Sequence, residues 1–275
     1  MKQHEALERV QAAREAGIPI DLAGADLGDL DLSGADLRLA DLRRANLADT
    51  FLYDANLMGA RLDGANLTKA DLTGANLQGA SLCGANLRSA TLSEANLSGA
   101  ILAGADLTDA DLTRAVLPGA NLAGCPMARA ALTQCDLAGA VLCDADLGGA
   151  WLYGADLSGA TLAAAHLSGA TLNEANLTEA DLAGATLTGA SLHGANMTSA
   201  RLMGAMLSKA QLVAVTLCGA NLVGADLRNA DLSWADLNAA DLTGALLSGA
   251  NLRGAALQGA VGYSAAGSVQ AGQVR

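Results

Sequence analysis

Ala55–Ala100 reads ANLMGARLDGANLTKADLTGANLQGASLCGANLRSATLSEANLSGA, one five-residue phrase of the form A-[D/N/S/T]-L-x-G repeated nine times. The phrase runs far beyond this stretch. From Leu22 to Leu257 every fifth residue is Leu, apart from Met127 and Met197, and no residue is inserted or lost. Helices and strands announce themselves by periods of 3.6 and 2, and a period of five fits neither. Residues five apart on a helix drift around its axis. On a flat strand they alternate between faces. The pattern therefore requires a chain that turns a corner every five residues, so that each Leu points inward and stacked coils share one apolar column. Such internal repetition is the mark of a solenoid.

The run of A-[D/N]-L-x-x over residues 21–260 resembles the pentapeptide-repeat family. That resemblance implies an all-β solenoid: a right-handed quadrilateral β-helix with four pentapeptides per coil, hence about twelve coils. The central Leu and the small residue two before it face inward; the other three positions face out. At about 4.8 Å per coil the expected rod is roughly 58 Å long. The expected organisation is an N-terminal helix and linker over 1–20, the β-helix over 21–260 as one domain, and a flexible tail over 261–275.

Composition narrows the functional classes. The chain is 52% hydrophobic, yet a polar residue or Gly interrupts almost every pentad, so no apolar run of the roughly 20 residues a membrane helix needs is present. The charged N-terminus does not read as a signal peptide. A net charge of −12 opposes direct binding to nucleic acid and favours solubility or a basic partner. Five cysteines at scattered positions read as reduced thiols of a cytoplasmic protein.

Residues 2–16 have the pattern of a helix, with Ala6, Leu7, Val10 and Ala13 on one edge and Glu5, Glu8, Arg9 and Arg14 outside it. Gly17 and Pro19 end it. An open first coil would expose a Leu core and unpaired backbone groups, so the helix is expected to cap it. At the other end Leu242, Leu247, Leu252 and Leu257 lack an apparent cap, and the outward Leu246 adds apolar surface. Either Val261 and Tyr263 fold over that end, or two chains meet there as a homodimer. Asn46, Asn66 and Asn86, and opposite them Asn56, Asn76 and Asn96, fall twenty apart and are expected to stack as amide ladders. The segment 115–135, with Pro118, Pro126, Met127, Cys125 and Cys135, is the least regular, and Val213 and Val215 mark a second irregular patch.

No catalytic, cofactor or metal motif emerges. His4, His166 and His193 share no ligand spacing, the glycines follow the repeat rather than a phosphate loop, and no carboxylate pair stands out as acid and base. The outward residues are more informative. Sorted by position modulo twenty, one face collects Phe51, Tyr53, Trp151, Tyr153 and Trp234 together with Asp31, Asp71, Asp111 and Asp231. Seven acids and two bases lie on it, and the next face carries five acids and one base. Exposed aromatics are what interfaces use as anchors. The expected function is thus a non-enzymatic scaffold or regulatory rod that binds a protein. The alternative comes from the resemblance. Some members of the family are acidic rods that imitate duplex DNA, bind DNA gyrase and protect it from quinolones. Duplex DNA carries one charge per ~1.7 Å, roughly 34 over the expected length, about three times the −12 here. The chain also departs from those members in having no inward Phe, no loop between coils and no obvious C-terminal dimerisation segment.

Overall fold

The structure, a computed structural model, describes residues 3–262. The chain divides into two compact units, Met1–Val141 and Leu142–Arg275.

The first unit opens with helix α1, Gln3–Ala16. Val10 and Ala13 are its buried residues, Glu5, Glu8 and Arg9 are exposed, and Ala6, Leu7 and Arg14 lie outside the described side chains. Gly17 takes a positive φ of 64°, the conformation in which helices commonly end, and the Ile18 N–H bonds back to the Ala13 carbonyl at 3.0 Å. From Asp21 the chain advances by five-residue steps. Each step makes one β-turn, and most make a single-residue parallel bridge to the residue twenty further on, as in Asp31 to Phe51 to Asp71.

The Leu72 pentad shows why this backbone is stable. The Asp71 N–H reaches back to the Thr50 carbonyl (3.0 Å), the Leu72 N–H forward to Thr91 (2.7 Å), the Gly74 N–H forward to Ser93 (2.9 Å), and the Ala75 N–H closes the turn on Leu72 (2.9 Å). Only the Thr73 N–H lacks a backbone acceptor, and the Asp71 Oδ1 takes it at 3.0 Å. All five donors are satisfied, as backbone in a packed structure must be. The preference for Asp or Asn before each Leu is thereby explained: its oxygen reaches the N–H two residues on, a local side-chain turn.

The third turn residue carries the conformational demand. Every fifth residue from Gly24 to Gly259 has φ between 53° and 75°. A turn of this kind needs positive φ there, which Gly supplies without steric cost. Leu39, Arg44, Lys69 and other non-glycine residues adopt it too.

Inside the first unit the central Leu of each pentad, from Leu22 to Leu137, is at most 2% exposed. Each such burial contributes about 1.5–3 kcal/mol. The alternate inward slot is usually Ala, and its hydroxyl and thiol substitutes are accommodated by new bonds. The Thr50 hydroxyl donates to the Leu27 carbonyl at 2.8 Å. The thiols of Cys125 and Cys135 donate to the carbonyls of Leu102 and Leu112 at 3.0 and 2.7 Å. Burial pushes these thiols up to about 11 and about 12. The irregular 115–135 segment keeps the frame. Pro118 occupies the second turn position, where its fixed φ fits, and the carbonyl of Pro126 still accepts the Leu107 N–H at 2.7 Å.

The second unit repeats this plan. Around Leu177 the five donors go to Ala155, Asn196, the Asn176 side chain, Thr198 and Leu177 itself, at 2.9, 2.6, 3.2, 2.9 and 3.1 Å. Val215 fills an Ala slot fully buried. Toward its end Leu242 is still buried, whereas Leu247, Leu252 and Leu257 are half-buried and Leu246 is exposed. Val261 continues the pattern by bridging Asp241, so the repeat extends one residue into the segment expected to be tail. Residues 263–275, with Tyr263, lie outside the described residues.

One expectation needs refinement. The amide ladder forms where Asn66 Nδ2 donates to Asn46 Oδ1 (3.0 Å) and Asn46 Nδ2 to Asp26 Oδ1 (2.8 Å). In the other column Asn56, Asn76 and Asn96 direct Oδ1 to the N–H groups of Met58, Gln78 and Ser98, at 3.2, 3.1 and 3.0 Å. The local bond is the common feature, and the ladder is added where geometry allows.

Candidate functional site

In the first unit Phe51 and Tyr53 flank the buried Leu52 and are 53% and 50% exposed. Phe51 bridges Asp31 on one side and Asp71 on the other, so the ring stands between two carboxylates in one column; Thr91 and then Asp111 continue it. Much of that carboxylate chemistry is structural. Asp31 accepts the Ser33 N–H at 3.0 Å, Asp71 both the N–H and the hydroxyl of Thr73 at 3.0 and 2.6 Å, and Asp111 the Thr113 N–H at 2.9 Å. Hydrogen bonds from the Ser33 hydroxyl and N–H hold Asp31 below the usual carboxylate range. Asp111 is also held low: burial pulls it upward, but hydrogen bonds from the Thr113 hydroxyl and N–H and from the Ser93 hydroxyl together outweigh burial.

In the second unit Trp151 and Tyr153 flank the buried Leu152 and are 64% and 41% exposed. The Tyr153 hydroxyl donates to Glu174 Oε2 at 2.6 Å. That bond, followed by the carboxylate's charge, raises the Tyr153 phenol above its ordinary value. Glu174 sits at a turn position with φ of 59°, one coil on from Gly154 and one before Gly194, so it has no bulky neighbour in its own column. Asn173 Oδ1 braces the next coil by accepting the Ser191 hydroxyl (2.7 Å) and the His193 N–H (2.9 Å).

Trp234 and Asp231 form a separate patch. Asp231 is linked to Trp151's column through Thr171, Ser191 and Gln211, four coil spacings, or about 19 Å at the usual strand separation. Trp234 takes the positive turn φ of 62°, and its ring lies over Gly254, where an added Cβ would collide with it. Asp231 accepts the Ser233 N–H at 2.9 Å and Asn251 Nδ2 at 3.0 Å.

The residues expected to form one face thus resolve, within each unit, into local groups: Asp31, Phe51, Tyr53 and Asp71, with Asp111 beyond them; Trp151 with Tyr153; and Asp231 near Trp234. The sequence reading counted Glu174 as one charge among several and missed its bond to Tyr153. The available signal was a Glu at a turn position where Gly is the rule, one coil after two outward aromatics.

Among the described residues no cluster of three or more His, Cys, Asp or Glu side chains is arranged to hold a metal ion. No helix there is long and apolar enough to cross a membrane.

The family description "Pentapeptide repeats" matches in eight copies distributed over residues 20–261. Among solved structures, HetL from the cyanobacterium Nostoc sp. strain PCC 7120, a pentapeptide repeat protein involved in heterocyst differentiation regulation, is 34% identical over 95% of this chain and 98% of its own, with a TM-score of 0.37. A second pentapeptide repeat protein from Nostoc PCC 7120 is 43% identical over 38% of this chain and 78% of its own, with a TM-score of 0.23. QnrB1, a plasmid-mediated fluoroquinolone resistance protein, is 21% identical over 72% of this chain and 86% of its own, with a TM-score of 0.33. No curated protein matches the chain. On the extent of the repeat match, which spans most of its length, this chain belongs to the pentapeptide repeat family.

Proposed function

We propose that this protein is a non-enzymatic interaction module that binds another protein through the outward side of its Leu152-type pentads. The observation that carries the reading is the placement of Phe51 and Trp151. Both stand where other pentads use Asp or Asn to accept the N–H two residues on. An aromatic there gives up that bond and exposes a large ring beside carboxylates, which serves recognition better than stability. In the same reading the β-helix is right-handed and quadrilateral, of about twelve coils, with α1 covering the first. Buried Val10 and Ala13 and the complete burial of Leu27 and Leu37 support the cap. The half-buried Leu247, Leu252 and Leu257 leave the other end as a place where a second copy would meet it. Five free thiols suit a reducing compartment such as the cytoplasm.

The test is partner capture from the native host with cross-linking, comparing wild type with a Trp151→Ala/Tyr153→Ala variant and with Met206→Ala, an exposed apolar control in the same unit. Loss of a specific partner only in the aromatic variant is expected. Equal retention by both variants would remove the aromatic side as the binding surface.

DNA mimicry toward gyrase is the weaker reading. In the first unit, acids that would imitate phosphates are paired: Asp36 with Arg38 at 2.7 Å, Asp106 with Arg88 at 3.2 Å, Asp109 with Arg129 at 2.7 Å, and Asp41 with both Arg43 and Arg61. A gyrase supercoiling assay, with and without a quinolone, decides it. Inhibition or drug protection at micromolar protein would favour mimicry over the unknown partner.

A further inference from the structure

The second unit carries a chemical instruction about its partner. Between Arg129 and Arg201 the sequence contains no Lys or Arg, while this interval holds Asp136, Asp144, Asp146, Asp156, Glu174, Glu179 and Asp181. The part of that interval belonging to the second unit includes the two exposed aromatics. Of these acids Asp181 is paired with Arg201 at 3.7 Å, and the interval itself holds no Lys or Arg to neutralise the rest.

The local geometry sharpens this general attraction. Trp151 offers an indole face that is 64% exposed. Its neighbour in the column is Thr171, too small to cover the ring. Tyr153 fixes Glu174 by donating to Oε2 at 2.6 Å, which leaves Oε1 to accept from elsewhere. Gly154 and Gly194 keep the space beside the carboxylate clear. An aromatic face, a second ring and an oriented carboxylate are the complement of a planar cation. A guanidinium stacks on indole and donates in a fork to a carboxylate; an ammonium achieves the first only as a point charge.

We propose that Trp151, Tyr153 and Glu174 form a receptor for an arginine side chain presented by a basic segment of a protein partner. The proposal rests on the interaction-module reading and names the chemistry of the partner. The guanidinium lies on the Trp151 indole and against Tyr153, with its N–H groups directed to Glu174. Surrounding acids raise the encounter rate but do not select arginine.

The probe is a dye-labelled hexaarginine peptide, titrated against the full chain at physiological salt and followed by anisotropy. Hexalysine and hexaglutamate of equal length run in parallel. Glu174→Gln is expected to weaken hexaarginine binding about tenfold, the scale of a charge-assisted hydrogen bond, and Trp151→Ala at least about threefold. Glu179→Gln is the matched control: Glu179 is also exposed, also at a turn position with φ of 59°, and removes the same charge. It is expected to weaken binding less than twofold. Hexalysine is expected to bind more weakly than hexaarginine, and hexaglutamate not at all. The chain has two tryptophans, so Trp234→Phe makes Trp151 the sole reporter, and its emission is expected to move with hexaarginine.

Equal losses from Glu174→Gln and Glu179→Gln, or unchanged Trp151 emission at saturating peptide, would overturn the receptor. The two readings fail separately. If the peptide ignores these residues but the aromatic variant still loses its captured partner, the binding side stands and the arginine receptor falls. If the peptide obeys them and partner capture does not, the receptor stands and the wider reading falls.

Discussion

A single methyl group tests the backbone account. Gly104 occupies the third turn position with φ of 67°, and a Cβ added there meets nothing within 4 Å. Gly104→Ala therefore introduces conformational strain without collision. The left-handed region costs an L-residue roughly 1–2 kcal/mol. Against this, Ala loses less chain entropy than Gly on folding, worth about 0.4–1 kcal/mol. The expected net effect is destabilisation by about 0.5–1 kcal/mol. Ala164 is the reciprocal case, a non-glycine residue held at φ of 57°, and Ala164→Gly is expected to stabilise by a similar amount. Urea unfolding followed by circular dichroism gives both values from the midpoints, provided the slope is unchanged. A third variant separates strain from contact: Gly254→Ala meets the Trp234 ring and should lose more than Gly104→Ala. If Gly104→Ala is neutral and Ala164→Gly destabilises, positive φ is not the governing term, and the reasoning fails.

Leu92 is fully buried, so Leu92→Asp places an unpaired charge in the apolar column; the expected product is unfolded or aggregated, and a soluble variant with unchanged melting would contradict the inward assignment. Asp31 and Asp241 are held below the ordinary carboxylate range by their side-chain and backbone bonds, to Ser33 and Thr243 respectively. A depressed folded pKa adds stability above the unfolded value of about 3.9, and that stability is lost as pH falls through the folded value. Urea midpoints should accordingly be level from pH 7 to about 5 and fall below about 4; a midpoint that rises on acidification would reverse the sign. Exposed Cys83 should react with a thiol reagent in the native protein, while buried Cys125 and Cys135 should react only on unfolding, as mass spectrometry of the labelled chain would show. Polar substitution of Leu246 and Leu257 should convert an end-to-end dimer to monomer in light scattering; a monomeric wild type ends that idea.

The inward register was fully readable because Leu and Ala recur without a slip, and burial permits few alternatives at those positions. The role of the residue before each Leu was only half readable. The stacked Asn residues were expected to bond from coil to coil, as Asn66 does to Asn46. Their more general task, accepting the N–H of the residue two on, appears only once the four backbone bonds of a pentad such as that of Leu72 are traced and one donor remains. The candidate site was less legible still. Position modulo twenty grouped Trp151 with Trp234, but it keeps direction and discards height, so it merged residues that stand four coil spacings apart, as Trp151 and Asp231 do. It also gave no weight to Glu174, whose meaning depends on a side-chain torsion that reaches Tyr153.

The twenty-residue bridge interval also bears on how such a chain tolerates editing. Because Asn66 presents the same groups to Asn86 that Asn46 presents to Asn66, a twenty-residue block such as 62–81 is an interchangeable cassette. Its removal would rejoin like to like, leaving every later side chain pointing as before. Removing only five residues would keep every Leu inward, yet turn each later outward column by one corner. Length changes in units of one coil therefore preserve a binding pattern, whereas changes in units of one pentad preserve the core but scramble what the surface displays.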